Sequence, residues 1–276
     1  MKQKTPNIMG KYLLTINYSM YAILIGLFFM NITPILAQNQ DDKNTKDWNF
    51  TAVPYLMMPY MNGDVGLGNQ IVSVDADPGD IFGQLEGGLM LFFEASNDKW
   101  VVNMDLLYMK LGANGETPIL SREADVELKQ LGLTFNGLYK VNSWAAVGVG
   151  FRVNSIDQGF YMPALPGPGP GEVELPAVDR SMNNTWVDPL LVARVMTRFD
   201  GSNWRLGMLA DIGGFGIGSD LAWQINPFVG YQFSKLFEID LAYRWLSMDY
   251  ETGNGTDYFL YDMVISGPEI GLLFHF

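Results

Sequence analysis

Apolar and polar side chains alternate with a period of two along the second half of the chain. In the segment 186–199, one parity carries Asp188, Arg194 and Arg198, while the other parity is mostly apolar. The same separation recurs in the next three segments, which span residues 204–212, 221–233 and 237–250. A period of two places successive side chains on opposite faces of a β-strand. The pattern therefore predicts consecutive strands with one apolar and one polar face.

The last sixteen residues, Tyr261–Phe276, continue this alternation. Apart from Ser266, every second residue from Val264 onward is apolar, and the series ends with Phe274 and Phe276. Strands of outer-membrane barrels place aromatic side chains at the membrane interface. This ending resembles the C-terminal insertion signal of Gram-negative outer-membrane β-barrel proteins. The resemblance implies that the two phenylalanines face lipid and that the barrel-assembly machinery reads this strand.

Ten segments have the length and composition of strands. They are residues 48–60, 87–95, 100–110, 128–140, 144–154, 186–199, 204–212, 221–233, 237–250 and 261–276. Short and long connections alternate between them, as in outer-membrane barrels, whose short turns are periplasmic. A soluble sandwich would alternate too, but aromatic residues at the strand ends and the alternating loop lengths favour a barrel. We predict an all-β fold: a transmembrane antiparallel up-and-down β-barrel of about ten strands, with twelve possible, closed by residues 48–60 against the C-terminal strand.

The N-terminal part is predicted to lie outside the barrel. Residues 1–37 have a basic start, an apolar core and a small residue before a plausible cut, which is typical of a signal peptide. Residues 38–47 are polar and are interpreted as a periplasmic leader, so that the barrel comprises residues 48–276. Residues 77–85 are predicted to form a short inner plug or helical turn. Whether residues 64–85 lie in the lumen or add two strands stays open.

Composition and charge exclude several functions. The chain has no cysteine, so disulfides and thiolate metal sites are absent. Its net charge of −13 argues against nucleic acid as a partner. Asp75, Asp77 and Asp80 lack the further ligands of a calcium loop, and we interpret them as capping or solvated residues. No cofactor and no metal is expected.

The polar parity of the strands is predicted to face the lumen. A barrel of about ten strands is narrow enough for side chains to fill its interior, and buried charges persist when they are paired. We predict a lumen charge network of arginines and carboxylates, formed by Asp105, Arg152, Asp188, Arg194, Arg198, Arg205, Asp211, Glu238, Asp240, Arg244 and Glu269. This favours a filled, structural or porin-like barrel. A gated channel or uptake protein for a small solute is the alternative.

The glycine-rich segment 211–220 is the most distinctive internal sequence. No lysine and no helix follow its glycines, so a phosphate loop is disfavoured, and a bend or close backbone approach explains them better. Together with Trp186–Pro189, Tyr243–Trp245, Asp249-Tyr250 and Gly267-Pro268, it resembles an uncharacterised group of porin-like outer-membrane proteins. The resemblance covers residue 48 to the end. It implies a barrel in the outer membrane, in contact with lipid and lipopolysaccharide, and it implies no substrate.

An outer-membrane hydrolase is the least favoured function. Barrel hydrolases commonly rely on a histidine, and His275, the only histidine, is predicted to lie at the periplasmic end. Glu238 and Asp240 share a face and could form a catalytic carboxylate pair. Ion pairing with neighbouring arginines explains these two carboxylates more simply than catalysis does. We therefore predict no enzymatic activity. The Pro/Gly-rich loop 162–176 is interpreted as a solvated surface loop.

Overall fold

The computed structural model describes residues 48–68, 70–117, 122–164 and 177–276. The predicted signal peptide and leader lie outside these residues, as does most of the loop 162–176. Within the described ranges, no helix is long and apolar enough to cross a membrane.

The described residues form twelve strands and one short α-helix, with a 3-10 turn at Gly255–Asp257. The elements are β1 Asn49–Met57, β2 Tyr60–Leu67, β3 Gln70–Ala76, α1 Pro78–Gly83, β4 Leu85–Ser96, β5 Trp100–Thr117, β6 Arg122–Lys140, β7 Ala145–Met162, β8 Val178–Arg198, β9 Trp204–Gly214, β10 Leu221–Gln232, β11 Phe237–Thr252 and β12 Phe259–His275.

The strands close into an antiparallel barrel. From β4 to β12 each strand pairs with the next along the chain, and β1 closes the ring by pairing with both β4 and β12. This confirms the predicted all-β barrel of ten strands, with two additional strands. Closure leaves no sheet edge exposed to lipid, where unpaired backbone groups would be costly.

The two additional strands come from the segment left open by the sequence. The predicted first strand ends at Met57, where Met58 and Pro59 interrupt it. β2 then continues in the same direction along β12, and β3 folds back beside β2 as a hairpin. Pro59 explains the interruption, since proline has no N–H to donate to a ladder.

The strands are longer than predicted at the end that carries the long loops. Residues 111–127 and 155–185 were expected to be loops, but β5, β6, β7 and β8 extend through most of both ranges. These extensions have an irregular, mostly polar sequence. Pairing with the neighbouring strand stabilises them without an alternating pattern.

An apolar belt surrounds the barrel. In β12 the outward residues Val264, Ile270, Leu272 and Phe274 are between 36% and 44% exposed, and Phe276, just after the strand, is 62% exposed. Aromatic side chains form a girdle at the short-turn end, where Trp48, Trp100, Tyr139, Trp144, Phe199, Trp204 and Phe233 are exposed. Such a belt with an aromatic girdle is typical of barrels that span a membrane.

Charged groups mark the other boundary of the belt. On the outer surface of β5, the apolar side chains end at Lys110, which lies 2.7 Å from Glu86 and 2.9 Å from Glu127. Lys129 also contacts Glu127. About nine residues separate Lys110 from the girdle residue Trp100, which matches the length of a strand that crosses a bilayer.

In each of the four short turns, a polar side chain accepts a hydrogen bond from the backbone and ends the strand. Asn97 and Asn142 each accept hydrogen bonds from backbone N–H groups two and three residues later, with distances of 2.7–2.9 Å. Ser234 does the same, and Ser202 accepts from the N–H of Trp204. Asparagine and serine favour turns because their side chains replace a backbone acceptor locally.

The predicted helical turn is present as α1. Asp77 caps this helix, because its side chain accepts a hydrogen bond from the backbone N–H of Asp80. In turn, the Asp80 side chain accepts a hydrogen bond from the backbone N–H of Asp77. Pro78 occupies the first turn, where its missing N–H costs nothing. Ile81, only 3% exposed, points from the helix into the apolar part of the lumen.

Candidate functional site: the lumen

The lumen is divided along its axis into a cavity, a charged layer and an apolar layer. The cavity has a volume of about 630 Å³ and lies at the short-turn end, where Phe50 and Leu236 line it near the rim. Its walls combine apolar rings with charged groups, among them Glu94, Arg194, Arg205 and Asp240. This composition suits an amphipathic or mixed-charge solute better than a simple ion.

Two ion pairs cross the lumen. Arg194 on β8 reaches Glu94 on β4 at 2.7 Å, although β5, β6 and β7 lie between these strands in the sheet. Arg244 on β11 reaches Asp105 on β5 at 2.8 Å and Glu269 on β12 at 2.6 Å. These side chains span the interior and obstruct the passage along the axis.

Arg244 is the centre of the charged layer. Besides its two carboxylate partners, it lies over the ring of Tyr55, 5.2 Å from the centroid. The Tyr55 hydroxyl donates to Asp105 at 2.7 Å, and the Asn226 amide donates to Glu269 at 2.8 Å. The two carboxylates are therefore satisfied by a cation and a neutral donor each, which is what buried charges require.

A second group of charges surrounds Glu238, which is completely buried. Arg205 donates to it at 2.6 Å and Arg198 at 2.9 Å. Arg205 also pairs with Asp240 and lies 4.8 Å from the centroid of the Phe228 ring. This group is fixed to the wall near the short-turn end and does not cross the lumen.

The remaining predicted residues lie toward the long-loop end. Arg152 pairs with Asp211 at 2.9 Å, and Thr134 accepts from the Arg152 guanidinium. Asp188 was predicted to belong to the same charge network, but its described hydrogen-bond partners are all neutral groups. Its register partner, Arg152, turns to Asp211 instead.

Asp188 anchors the glycine-rich loop after β9. Its carboxylate accepts from the N–H and hydroxyl of Ser219 at 2.6 and 3.0 Å, and from Asn154 at 2.8 Å. A Cβ on Gly218 would lie 2.5 Å from the same carboxylate, so only glycine permits this approach. The close backbone approach expected for the glycine-rich segment therefore occurs at the Asp188 carboxylate, which the sequence did not identify as its partner.

The long-loop half of the lumen is filled by apolar side chains. Methionines and aromatic residues dominate the layer, which contains Met57, Met61, Ile81, Met109, Ile156, Trp186, Met248, Phe259, Tyr261, Met263 and Ile265. Trp186 stacks on Tyr250 with 4.1 Å between the centroids and 2° between the planes. Between this layer and α1 lies a second cavity of about 190 Å³.

His275 lies between Thr51 and Glu238 at the short-turn end. Its Nδ1 is 3.0 Å from the Thr51 hydroxyl, and its Nε2 is 3.2 Å from Glu238. The order hydroxyl, imidazole, carboxylate is that of a hydrolytic triad. However, Arg198 and Arg205 already neutralise Glu238, which weakens its support for an imidazolium. No group of three or more potential metal ligands occurs within the described ranges.

Sequence reasoning missed several members of the site. Tyr55, Thr51 and Asn226 hold the carboxylates and the histidine, yet each is a neutral residue within a strand. For the residues of β1, the available signal was the alternation of side chains between the two faces of a strand. Thr51, Val53, Tyr55 and Met57 are every second residue of β1 and therefore share one face. That signal was obscured by the two prolines of the predicted first strand.

The chain is similar to several solved structures at low sequence identity. The outer-membrane protease OmpT of Escherichia coli superimposes with a TM-score of 0.50 at 9% identity, covering 86% of this chain and 99% of that one. The translocator domain of the autotransporter NalP of Neisseria meningitidis gives a TM-score of 0.39 at 11% identity, with 94% and 98% covered. Ail of Yersinia pestis gives 0.37 at 10% identity, with 83% and 98% covered.

No protein-family profile matches the chain, and no curated protein is similar to it in sequence. At these identities the likeness to OmpT concerns the fold alone. The fold, the apolar belt and the polar interior define the class: the chain is a β-barrel of the outer-membrane type. This architecture is consistent with a location in the bacterial outer membrane.

Proposed function

We propose that this chain is a structural outer-membrane barrel with a closed lumen, open as a chamber on the periplasmic side. The observation that supports this is the succession of two barriers along the axis. The pairs Arg194–Glu94 and Arg244–Asp105 cross the interior, and the layer of methionine and aromatic side chains follows. A narrow barrel filled in this way has no continuous aqueous path.

Planar-bilayer recording of the purified protein tests this proposal. We expect no stable conductance of porin size at either polarity, since an ion would have to cross both barriers. A general porin reconstituted in the same membrane controls for insertion, and a heat-modifiability gel shows that the chain is folded. Steady porin-sized openings by folded protein would overturn the closed lumen.

A gated passage for a small solute is the second candidate. The two cavities, about 630 and 190 Å³, lie at opposite ends of the filled region. This arrangement favours two successive binding sites for a solute along one route through the barrel. In that case the same recordings would show brief openings that depend on a solute, and liposomes would swell in its presence. The absence of both leaves the structural function.

Hydrolysis has the least support. Although Thr51, His275 and Glu238 are adjacent, threonine is a hindered nucleophile and Glu238 is shared by two arginines. We propose that His275 orders the short-turn rim. Hydrolase activity that disappears in His275→Gln would contradict this assignment.

Lipid, lipopolysaccharide and the barrel-assembly machinery are the proposed partners. The exposed belt fits lipid, and the ion-paired band around Lys110 lies where lipopolysaccharide head groups begin. Phe274 and Phe276 point outward at the end of β12, where they are 44% and 62% exposed. This position suits recognition of the last strand during assembly.

A further inference from the structure

The cavity of about 190 Å³ beneath α1 differs in chemistry from the charged chamber at the other end. Its walls are formed mainly by aliphatic and methionine side chains from β2, β3, β5, β6 and β12, and Ile81 of α1 closes it. Residues lining it include Met61, Val65, Val74, Leu111, Leu128 and Met263. Asp80, Gln84 and Gln158 supply polar atoms at its edge.

One buried residue that lines this apolar space carries a polar group. Tyr261 lines the cavity and is only 1% exposed. Its hydroxyl makes no hydrogen bond of ordinary geometry with the described residues, although the Gln130 side chain is a polar neighbour. A buried hydroxyl without a partner costs about 1–3 kcal/mol, which a bound hydrogen-bonding group would recover.

We propose that this cavity binds a small single-ring aromatic molecule that carries one hydroxyl group. An apolar cavity of about 150 Å³ is sufficient for a benzene ring, so a phenol-sized ligand fits the volume present. The thioethers of Met61 and Met263 favour an aromatic ring over an aliphatic chain, because sulfur–aromatic contacts add about 0.3–1.5 kcal/mol each. The ligand hydroxyl pairs with Tyr261.

This site is independent of conduction. It lies on the long-loop side of the charged layer, and binding there requires no passage through Arg244 and its partners. The proposed closed lumen and the proposed ligand site can therefore succeed or fail separately.

Calorimetric titration of the full chain, refolded in detergent micelles, tests the site with phenol and toluene as probes. We expect saturable binding of both to the unchanged protein. Ala76→Phe places a ring into the cavity from β3 and should lower both affinities at least about ten-fold, since the volume for a ligand ring is lost.

Two further variants make the test specific. Ile71→Phe adds the same ring on the opposite face of β3, where Ile71 is 60% exposed, and should leave both affinities unchanged. Tyr261→Phe keeps the ring but removes the hydroxyl. It should weaken phenol by up to about ten-fold, the value of one hydrogen bond, and change toluene less than about two-fold.

Each remaining outcome overturns the proposal. Equal uptake by all variants would mean that the probes dissolve in the micelle. An unchanged affinity for phenol in Tyr261→Phe would contradict the proposal that the ligand carries a hydroxyl group that pairs with Tyr261. Heat-modifiability gels confirm that every variant is folded, so loss of binding is not loss of the barrel.

Discussion

At the scale of residues, the interior is organised by a few buried charges that each satisfy more than one partner. Arg244 pairs with Asp105 across the lumen and with Glu269 on the neighbouring strand, and it lies over Tyr55. Asp188, fully buried, has only neutral partners, of which Ser219 gives it two hydrogen bonds. Removing one member of such a group leaves the others charged, desolvated and unpaired.

Arg244→Met should therefore reduce stability severely. The change leaves Asp105 and Glu269 without their cation, which costs about 3–5 kcal/mol for a buried pair that loses one partner. Urea unfolding in lipid vesicles, followed by tryptophan fluorescence, measures the loss. Lys110→Met is the matched control: its side chain is 31% exposed on the outer surface, where solvent screens its ion pairs, so a much smaller loss is expected. Equal losses in the two variants would contradict a central role for Arg244.

At the scale of elements, the short hairpin β9–β10 is tied to the long strand β8. The ladder between β8 and β9 begins only at Leu190 and Gly213, so the first half of β8 extends beyond it. The glycine-rich loop bends toward that extension and is held by Asp188, while Trp186 stacks on Tyr250 of β11 above the hairpin. Contacts between loop and strand thus complete the wall where the hairpin is too short.

Gly213→Ala should weaken this wall. A Cβ at Gly213 would collide with the carbonyl oxygen of Pro189 and lie 2.6 Å from a Leu190 methyl group, and backbone cannot move aside cheaply. We expect a loss of about 1–3 kcal/mol, typical of overpacking, in the same unfolding assay. Gly137→Ala is the control, because nothing lies within 4 Å of its added Cβ. A neutral effect at both positions would refute the close contact.

At the scale of the whole molecule, the polarity of a soluble domain, with apolar residues inside and polar residues outside, is reversed only in the membrane belt. Outward side chains are apolar there, whereas the lumen contains charges at one end and methionines with aromatic rings at the other. Ring closure pairs every spanning strand on both sides. The ring of ten strands therefore has no unpaired strand edge within the belt.

A closed barrel of this kind should be heat-modifiable. We expect the protein folded in detergent to migrate differently in a gel before and after boiling, because sodium dodecyl sulfate does not open a ring whose backbone groups are all paired. Samples from the same preparation, boiled and unboiled, supply the comparison. Identical migration, with the chain soluble without detergent, would contradict a transmembrane barrel.

The sequence alone determined the fold class and the faces of the strands. These depend on local information: a period of two, aromatic residues at strand ends and turn residues such as Asn97 and Asn142. It also indicated which charges face inward, since parity is fixed by the strand itself. Asp77 and Pro78 located α1 for the same reason.

Only the tertiary structure decided which of these groups meet. The partners of Arg194 and Arg244 are 100 and 139 residues away, and their pairing depends on barrel diameter and stagger. The two additional strands, the choice of Asp211 over Asp188 by Arg152, and the cavity below Tyr261 likewise arise from closure. Local patterning specifies the direction of a side chain, whereas its partner is fixed when the ring closes around it.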